Sequence, residues 1–166
     1  MDADRLRYVV IIILARGMVR LLDKISCKSN CGRGSESTLS EKGGNNMKLL
    51  SVAVPCYNSE NYMEHCIQTL LAGGTDVEIL IIDDGSTDLT GKIADDLAAK
   101  HKDIVRVIHQ ENGGHGEAVN TGIRSATGIY FKVVDSDDWV DIASYKKILK
   151  VLKKLTEDCL TVDMLV

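Results

Sequence analysis

Residues 131–139 read FKVVDSDDW, an apolar run that ends in three closely spaced carboxylates. A β-strand that delivers acidic side chains at its carboxyl end is typical of the ligand crevice in an open α/β sheet. Carboxylates this close repel one another unless protons or a cation intervene, so the pattern favours a hard divalent metal. The same arrangement occurs earlier, where EILII at residues 78–82 runs into Asp83 and Asp84. These two acidic strand ends define the candidate site.

The apolar pattern alternates between strand and helix signals from Met47 onward. The predicted strands are 49–54, 78–82, 104–108 and 129–134, and the predicted helices are 59–71, one capped by Thr87 or Asp88, 115–126 and 142–155. This alternation predicts an α/β fold, with a mainly parallel sheet flanked by helices and right-handed crossovers. Pro55 is expected to end the first strand because it lacks a donor hydrogen. Residues 161–166 resemble the start of an uncovered strand, so the fold is expected to be incomplete at the C-terminus.

The composition fits a single globular domain without a nucleic-acid surface. The chain has 166 residues, of which 45% are hydrophobic and 27% charged. Its net charge of −4 is uneven, because residues 1–46 carry eight Lys and Arg against five Asp and Glu, and residues 47–166 carry twelve against nineteen. An acidic body argues against nucleic acid as a partner, but not against a nucleotide, because a metal reverses the local charge. Five cysteines, an odd number without zinc-like spacing, favour reduced thiols.

Three segments are expected along the chain. Residues 1–25 are apolar and basic and can form a helix, residues 26–46 indicate a flexible linker, and residues 47–166 form the folded region. The run YVVIIILA at 8–15 is too short for a membrane span, which needs roughly 20 apolar residues. No convincing signal-peptide cleavage site follows it. We therefore expect a cytoplasmic protein, with peripheral contact at the inner face of the membrane left open.

Four blocks of sequence resemble, in order, the nucleotide-sugar-binding half of GT-A glycosyltransferases of family 2. They are SVAVPCYN at 51–58, IIDDGSTD at 81–88, NGGHG at 112–116 with NTGI at 120–123, and ATG at 126–128 leading to DSDDW at 135–139. Each block alone is a weak signal, because short Gly and Asp patterns are common, but the ordered set over residues 48–141 is specific. The resemblance implies a Rossmann-like GT-A nucleotide-diphospho-sugar transferase fold and the transfer of a sugar to an acceptor.

The resemblance implies a nucleotide site built from strand-end loops. Its residues would be Pro55, Tyr57, Asn58, Asp83, Asp84, Gly114, His115 and Asp135. The first three match the family's loop around the nucleoside, and Asp84 matches the carboxylate that accepts a hydrogen bond from the base, with Asp83 beside it. The stretch that contains Gly114 and His115 can cradle phosphate at a helix N-terminus, although His115 can equally face solvent.

The resemblance also implies a metal site. Asp135 and Asp137 match the acidic pair that holds the nucleotide sugar through Mn²⁺ or Mg²⁺, with Asp137 as the direct ligand and Asp135 towards the ribose or sugar. Departure of a diphosphate builds charge on its oxygens, and a cation held by one or two carboxylates neutralises that charge. The donor would be a nucleotide-diphosphate sugar with UDP as the family default. The acceptor would be a glycan or a lipid-linked molecule in polysaccharide or glycoconjugate synthesis. The displacement would invert the configuration at the anomeric carbon of the sugar, and the catalytic base is expected beyond Val166.

Other interpretations stay open at the level of sequence. The acidic strand ends can be solvated turns that cap the following helices. The chain can be a nucleotide-binding fragment without catalysis, because nothing in it matches the family's second half. A phospho-receiver domain would also place acidic residues at two strand ends. Trp139 is expected to be a packing residue rather than a platform for a sugar. His109 shows no partner spacing and is expected to be a surface residue or a satisfied core residue. The lysines of the 142–155 helix can form a solvated face or contact an anionic membrane.

Overall fold

The computed structural model describes residues 47–158. The expectations for segments 1–25 and 26–46, and for a strand at 161–166, lie outside the described residues. Within them the elements alternate as the sequence predicts. They are strand β1 (Leu50–Cys56), helix α1 (Met63–Leu70), a 3-10 helix (Leu71–Asp76), β2 (Val77–Asp84), α2 (Thr90–Lys100), β3 (Val105–Gln110), α3 (His115–Ser125), β4 (Tyr130–Val133) and α4 (Ile142–Glu157).

The described strands form one parallel sheet in the order β3-β2-β1-β4. Every residue of β1 and β2 is buried, as expected for central strands that are covered on both faces. Apolar residues of one face pack with α1, α2 and α4 in the main core, whereas Leu80 and Ile82 pack with Ala118 of α3 on the other face. The predicted mainly parallel α/β sheet is confirmed, and its carboxyl ends lie at one edge.

Pro55 does not end the first strand, contrary to the expectation. It lies inside β1 and is paired in register with Ile82 of β2. On the other side of β1, the amide of Val134 donates to the carbonyl of Ala53 at 3.0 Å. Backbone groups two residues apart in a strand point to the same side, so the nitrogen of Pro55 points beyond the last paired residue of β4. The missing donor therefore costs no ladder hydrogen bond.

The first predicted helix also begins later than expected, at Met63 rather than at Ser59. The carbonyl of Ser59 accepts hydrogen bonds from the amides of Tyr62 and Met63, both at 3.0 Å. Residues 59–62 thus form a turn that delivers the chain into α1. The expected helix end at residue 71 is replaced by the 3-10 helix, which continues to Asp76.

A buried carboxylate holds together the amino ends of the strands. Glu78 in β2 is 4% exposed, and its Oε1 accepts hydrogen bonds from the Ser51 hydroxyl and the Thr127 amide, both at 2.5 Å. The Gly128 amide also donates to it at 3.1 Å, and Arg106 forms an ion pair with Oε2 at 3.5 Å. A Cβ at Gly128 would lie 2.6 Å from the Ser51 hydroxyl, so only glycine fits there. Glu78 thereby fixes the α3–β4 connection at the end of the sheet opposite the acidic residues.

Candidate nucleotide and metal site

A cleft of about 250 Å³ opens at the carboxyl ends of β1 and β2. It is lined by Pro55, Cys56, Tyr57, Asp84, Asn112, Gly114, His115 and Ala118. Five residues that sequence reasoning assigned to the nucleotide lie in this lining, namely Pro55, Tyr57, Asp84, Gly114 and His115. The structure therefore brings together loops that are distant in sequence, whereas Asn58, Asp83 and Asp135 do not line the cleft.

Asp84 lines the cleft and holds the glycine-rich loop, residues 112–114. Its side chain is buried, and Oδ1 accepts hydrogen bonds from the Gln110 amide group at 2.7 Å and the Gly113 backbone amide at 2.9 Å. Oδ2 accepts from the Gly114 amide at 2.8 Å, where the backbone has a positive φ of 83°. Burial by itself would raise the pKa of Asp84, but these hydrogen bonds together lower it below its usual value. Asp84 is therefore an ionised anchor at neutral pH.

The loop held by Asp84 leads directly into α3. Gly114 is the N-cap of this helix, and its carbonyl accepts hydrogen bonds from the amides of Glu117 and Ala118. A Cβ at Gly122 would lie 2.6 Å from that of Ala53, so α3 packs close against the sheet. The positive end of the helix dipole consequently lies at the cleft, which favours a phosphate there.

Asp83 faces away from the cleft, because consecutive side chains in a strand point to opposite faces of the sheet. Its Oδ1 accepts a hydrogen bond from the Ser86 amide at 3.1 Å, and its Oδ2 lies 2.8 Å from Nδ1 of His109. The other ring nitrogen of His109 lies 3.2 Å from Asp95. Sequence spacing gave no sign of these partners, because the residues belong to β2, β3 and α2. The structure thus places Asp83 in a carboxylate–imidazole contact on the face of the sheet opposite the cleft.

We expect His109 to make the free energy of unfolding depend on pH. The hydrogen bond to Asp83 raises the pKa of His109 above its usual value of 6.5, against the opposing effect of burial. Because the folded state binds this proton more tightly, the stabilisation is fully present below about pH 6.5 and is lost as the pH rises through the raised pKa. Urea unfolding at pH 6 and pH 8.5 should show a difference between the wild type and His109→Gln that is larger at pH 6. A difference that grows with pH would contradict the assignment.

Asn58 joins the loop after β1 to the loop after β2. It adopts a left-handed backbone conformation with φ of 50°, and its amide donates to the Ser86 hydroxyl at 3.1 Å. Its side-chain oxygen accepts a hydrogen bond from the Thr87 amide at 2.9 Å. Asn58 therefore holds the shape of the loop that carries Tyr57.

Asp135 and Asp137 lie on an exposed turn directly after β4. The Asp138 amide donates to the Asp135 carbonyl at 3.0 Å, which closes the turn. The N-cap of α4 is Asp141, whose carboxylate accepts from the Ser144 amide at 2.8 Å. The cap of α4 is therefore not one of the acidic residues 135–138 that follow β4, and the alternative that this acidic strand end caps the helix is wrong. Oδ1 of Asp135 lies 3.9 Å from Nε2 of His115, so the acidic turn borders the cleft.

The donor set of the acidic turn fits a hard divalent cation. Among residues 47–158, no group of three or more His, Cys, Asp or Glu side chains is placed to hold a metal. Asp135 and Asp137 thus offer two carboxylates, and Mg²⁺ typically takes one or two carboxylates and completes its shell with substrate phosphates and water. We infer that a metal here would be held jointly with a diphosphate in the adjoining cleft.

Trp139 follows the acidic turn and is 56% exposed. Its ring lies 5.5 Å from that of His65 in an edge-on arrangement. Cys56 and Cys66 are free thiols buried beneath the same turn, and burial raises the pKa of each to about 12. Both are therefore protonated at neutral pH.

The fold is an open α/β fold with a crevice at the carboxyl edge of a parallel sheet, which is where such folds bind their ligands. The sequence model of Glycosyl transferase family 2 matches residues 51–165. The chain belongs to this family, and the prediction of a GT-A fold is confirmed. The phospho-receiver interpretation is wrong, since the sequence and its structural neighbours are those of glycosyltransferases.

Similar proteins share only part of their length with this chain. The uncharacterized glycosyltransferase EpsJ of Bacillus subtilis (strain 168) is 46% identical over 101 residues, which make up 60% of this chain and 29% of EpsJ. S. aureus TarS 1-349 in complex with UDP-GlcNAc matches with a TM-score of 0.57 and 29% identity, over 65% of this chain and 32% of that one. The mannosyltransferase PcManGT from Pyrobaculum calidifontis, in complex with GDP-Man and Mn²⁺, matches with a TM-score of 0.56 and 25% identity, over 64% and 32%. The chain spans about a third of these relatives.

Proposed function

We propose that this chain binds a nucleotide-diphosphate sugar for a metal-dependent glycosyltransferase reaction. The observation that carries the proposal is the joint position of the cleft and the acidic turn, which adjoin through His115 and Asp135. A nucleoside would occupy the cleft beside Tyr57, and its diphosphate would extend past the N-terminus of α3 towards Asp137. TarS 1-349 is in complex with UDP-GlcNAc, and PcManGT is in complex with GDP-Man and Mn²⁺, which supports the same class of donor here.

The side chains of the site would position the donor and hold charge. A bound Mn²⁺ or Mg²⁺ would supply neutralisation of the departing diphosphate. Asp135 and Asp137 would hold that ion, and the dipole of α3 would stabilise the phosphates from the other side. Asp84 keeps the Gly113–Gly114 backbone in place, and three of its roughly four acceptor positions are used. One position is left for a donor group of the base, so the base-reading role of Asp84 stays a proposal.

The finer parts of the proposal concern the reaction and its setting. We propose an inverting transfer to a glycan or lipid-linked acceptor, and assign no catalytic base among residues 47–158. Along that part of the chain, every helix is too short or too polar to cross a bilayer. Exposed lysines on α4 support a peripheral contact with an anionic membrane surface. This contact and a cytoplasmic location stay predictions.

The test is a calorimetric titration of the chain with UDP and with GDP, each with and without Mn²⁺. We expect one nucleotide to bind, and its affinity to rise when Mn²⁺ is present. Absence of binding to a folded sample would contradict the proposal. Release of free sugar or its transfer from the preferred donor would identify an enzyme, whereas binding without turnover would favour the non-catalytic alternative.

A further inference from the structure

The Ser59 hydroxyl lies between the nucleoside cleft and the acidic turn. Ser59 is 5% exposed, and its Oγ accepts a hydrogen bond from the Tyr57 amide at 3.2 Å. The same Oγ lies 2.8 Å from the hydroxyl of Ser136, the residue between Asp135 and Asp137. The Ser59 hydroxyl thus contacts both Tyr57, which lines the cleft, and the side chain of Ser136, which lies in the acidic turn.

The hydroxyls of Ser59 and Ser136 connect the loop after β1 to the acidic turn. A hydroxyl donates one hydrogen bond and can accept two. The Ser59 hydroxyl accepts from the Tyr57 amide, can donate to the Tyr57 carbonyl at 3.4 Å, and lies 2.8 Å from the Ser136 hydroxyl, where either oxygen can be the donor. If Ser59 donates to the Tyr57 carbonyl, Ser136 donates to Ser59, so the contact between the two hydroxyls is kept in either arrangement. The turn is therefore connected to the loop after β1 through the side chain of Ser136.

A second contact holds the same turn from α1. The Cys66 thiol donates to the Asp135 carbonyl at 3.6 Å, and the Thr69 hydroxyl accepts from the Val140 amide at 3.2 Å. Cys66 and Thr69 of α1 contact backbone groups of residues 135 and 140, whereas Ser59 contacts the side chain of Ser136. A change at Ser59 can therefore alter the link to the cleft without removing all support of the turn.

We propose that Ser59 is a positioning residue that couples the nucleoside cleft to the metal-binding turn through its hydrogen bond to Ser136. The inference rests on the proposed function. When a nucleoside packs beside Tyr57, the Ser59–Ser136 contact holds the turn in the position in which Asp135 and Asp137 can share a cation with the diphosphate. By linkage, the cation raises nucleotide affinity by the same factor as the nucleotide raises cation affinity.

The Ser59 hydroxyl can be removed without touching the backbone contacts of the residue. The Ser59 amide donates to the Thr90 hydroxyl at 2.7 Å, and its carbonyl accepts from the amides at the start of α1. Ser59→Ala keeps these contacts and removes only the side-chain links. A purely structural role would weaken nucleotide binding equally with and without metal, whereas a coupling role lowers only the enhancement by metal.

The experiment measures UDP and GDP affinity with and without Mn²⁺ in the wild type, Ser59→Ala, Ser136→Ala and the double variant. We expect each single variant to lower the enhancement by Mn²⁺ about fivefold, the loss of one net hydrogen bond. Ser136→Ala should also leave metal-free affinity unchanged, because it keeps the contacts between Ser59 and the Tyr57 backbone. The enhancement by Mn²⁺ in the double variant should be no lower than in Ser59→Ala, because both single variants remove the Ser59–Ser136 contact. Ser136→Thr keeps a hydroxyl and should retain the enhancement. Ser144→Ala on α4 is the matched control.

Trp139 offers an independent measurement, because it is the chain's single tryptophan and follows the acidic turn. Addition of UDP without metal should change its fluorescence in the wild type and not in Ser59→Ala. An unchanged Mn²⁺ enhancement in both alanine variants would overturn the coupling and leave the proposed function intact. If the nucleotide affinity of the wild type is the same with and without Mn²⁺, the proposed function is overturned, and the coupling with it.

Discussion

Asp137→Ala is expected to lower nucleotide affinity in Mn²⁺ by about a hundredfold, the loss expected for a strong contact to a charged group. Affinity without metal should stay the same. The side chain is exposed, and the turn around it is closed by the Asp138 amide and the Asp135 carbonyl. The free energy of unfolding should therefore be unchanged, and only the cation site should be lost. Calorimetry in Mn²⁺ and in its absence, combined with urea unfolding, measures both quantities.

Asp138→Ala is the matched control for this prediction. It removes the same charge one residue further along the exposed turn, and leaves the proposed pair of ligands intact. We expect its affinity for nucleotide in Mn²⁺ to stay within about threefold of the wild type, as expected for a screened surface charge. If Asp137→Ala keeps full affinity, or if both variants lose it equally, the assignment of Asp137 as a metal ligand is wrong.

Asp84→Ala is expected to destabilise the fold by about 3 kcal/mol, because three donors lose a buried, charged acceptor. The Gly113 and Gly114 amides would lose the carboxylate that holds the loop before α3. This loop lines the cleft, so the shape of the cleft should change. We expect nucleotide affinity to fall both with and without Mn²⁺, unlike in Asp137→Ala. Chemical unfolding gives the first effect, and metal-free titration with UDP and GDP gives the second.

The pH dependence provides a check on the Asp84 prediction. Because its pKa is lowered in the folded state, its stabilisation is present above the usual value of 3.8 and is lost as the pH falls through the folded value. The stability difference between the wild type and Asp84→Asn should therefore shrink in acid. If Asp84 also reads the base, substitution would weaken the preferred nucleotide more than the other one. Equal losses would restrict its role to holding the loop.

The sequence predicted those parts of the fold that depend on local pattern. Apolar periodicity placed the strands and helices of the described region, and the acidic residues at the end of β2 and after β4 indicated the correct edge of the sheet. The effect of Pro55 was misjudged because it depends on where the pairing between β1 and β4 ends, and that is a property of the whole sheet. Ser59 was misjudged because its carbonyl starts a turn before α1.

The contacts that support the site depend on residues far apart in the chain. Glu78 accepts from Ser51 and from Gly128, which lie 27 and 50 residues away, and no periodic pattern reports such partners. A signal for Glu78 did exist, since it is a charged residue near the start of a strand that is otherwise apolar until Asp83. A charge buried in such a strand requires partners. The contact between His109 and Asp83 carried no equivalent signal.

The opposite orientation of Asp83 and Asp84 has a consequence for how this protein can evolve. Asp84 holds the loop that lines the cleft, and Asp83 contacts the imidazole of His109 on the opposite face of the sheet. Side chains alternate between the two faces along β2, so each role depends on the register of the strand. Gaining or losing a single residue in β2 would exchange the two roles and disable both. Lineages of this protein should therefore vary in length between the strands, and keep the length of β2 constant.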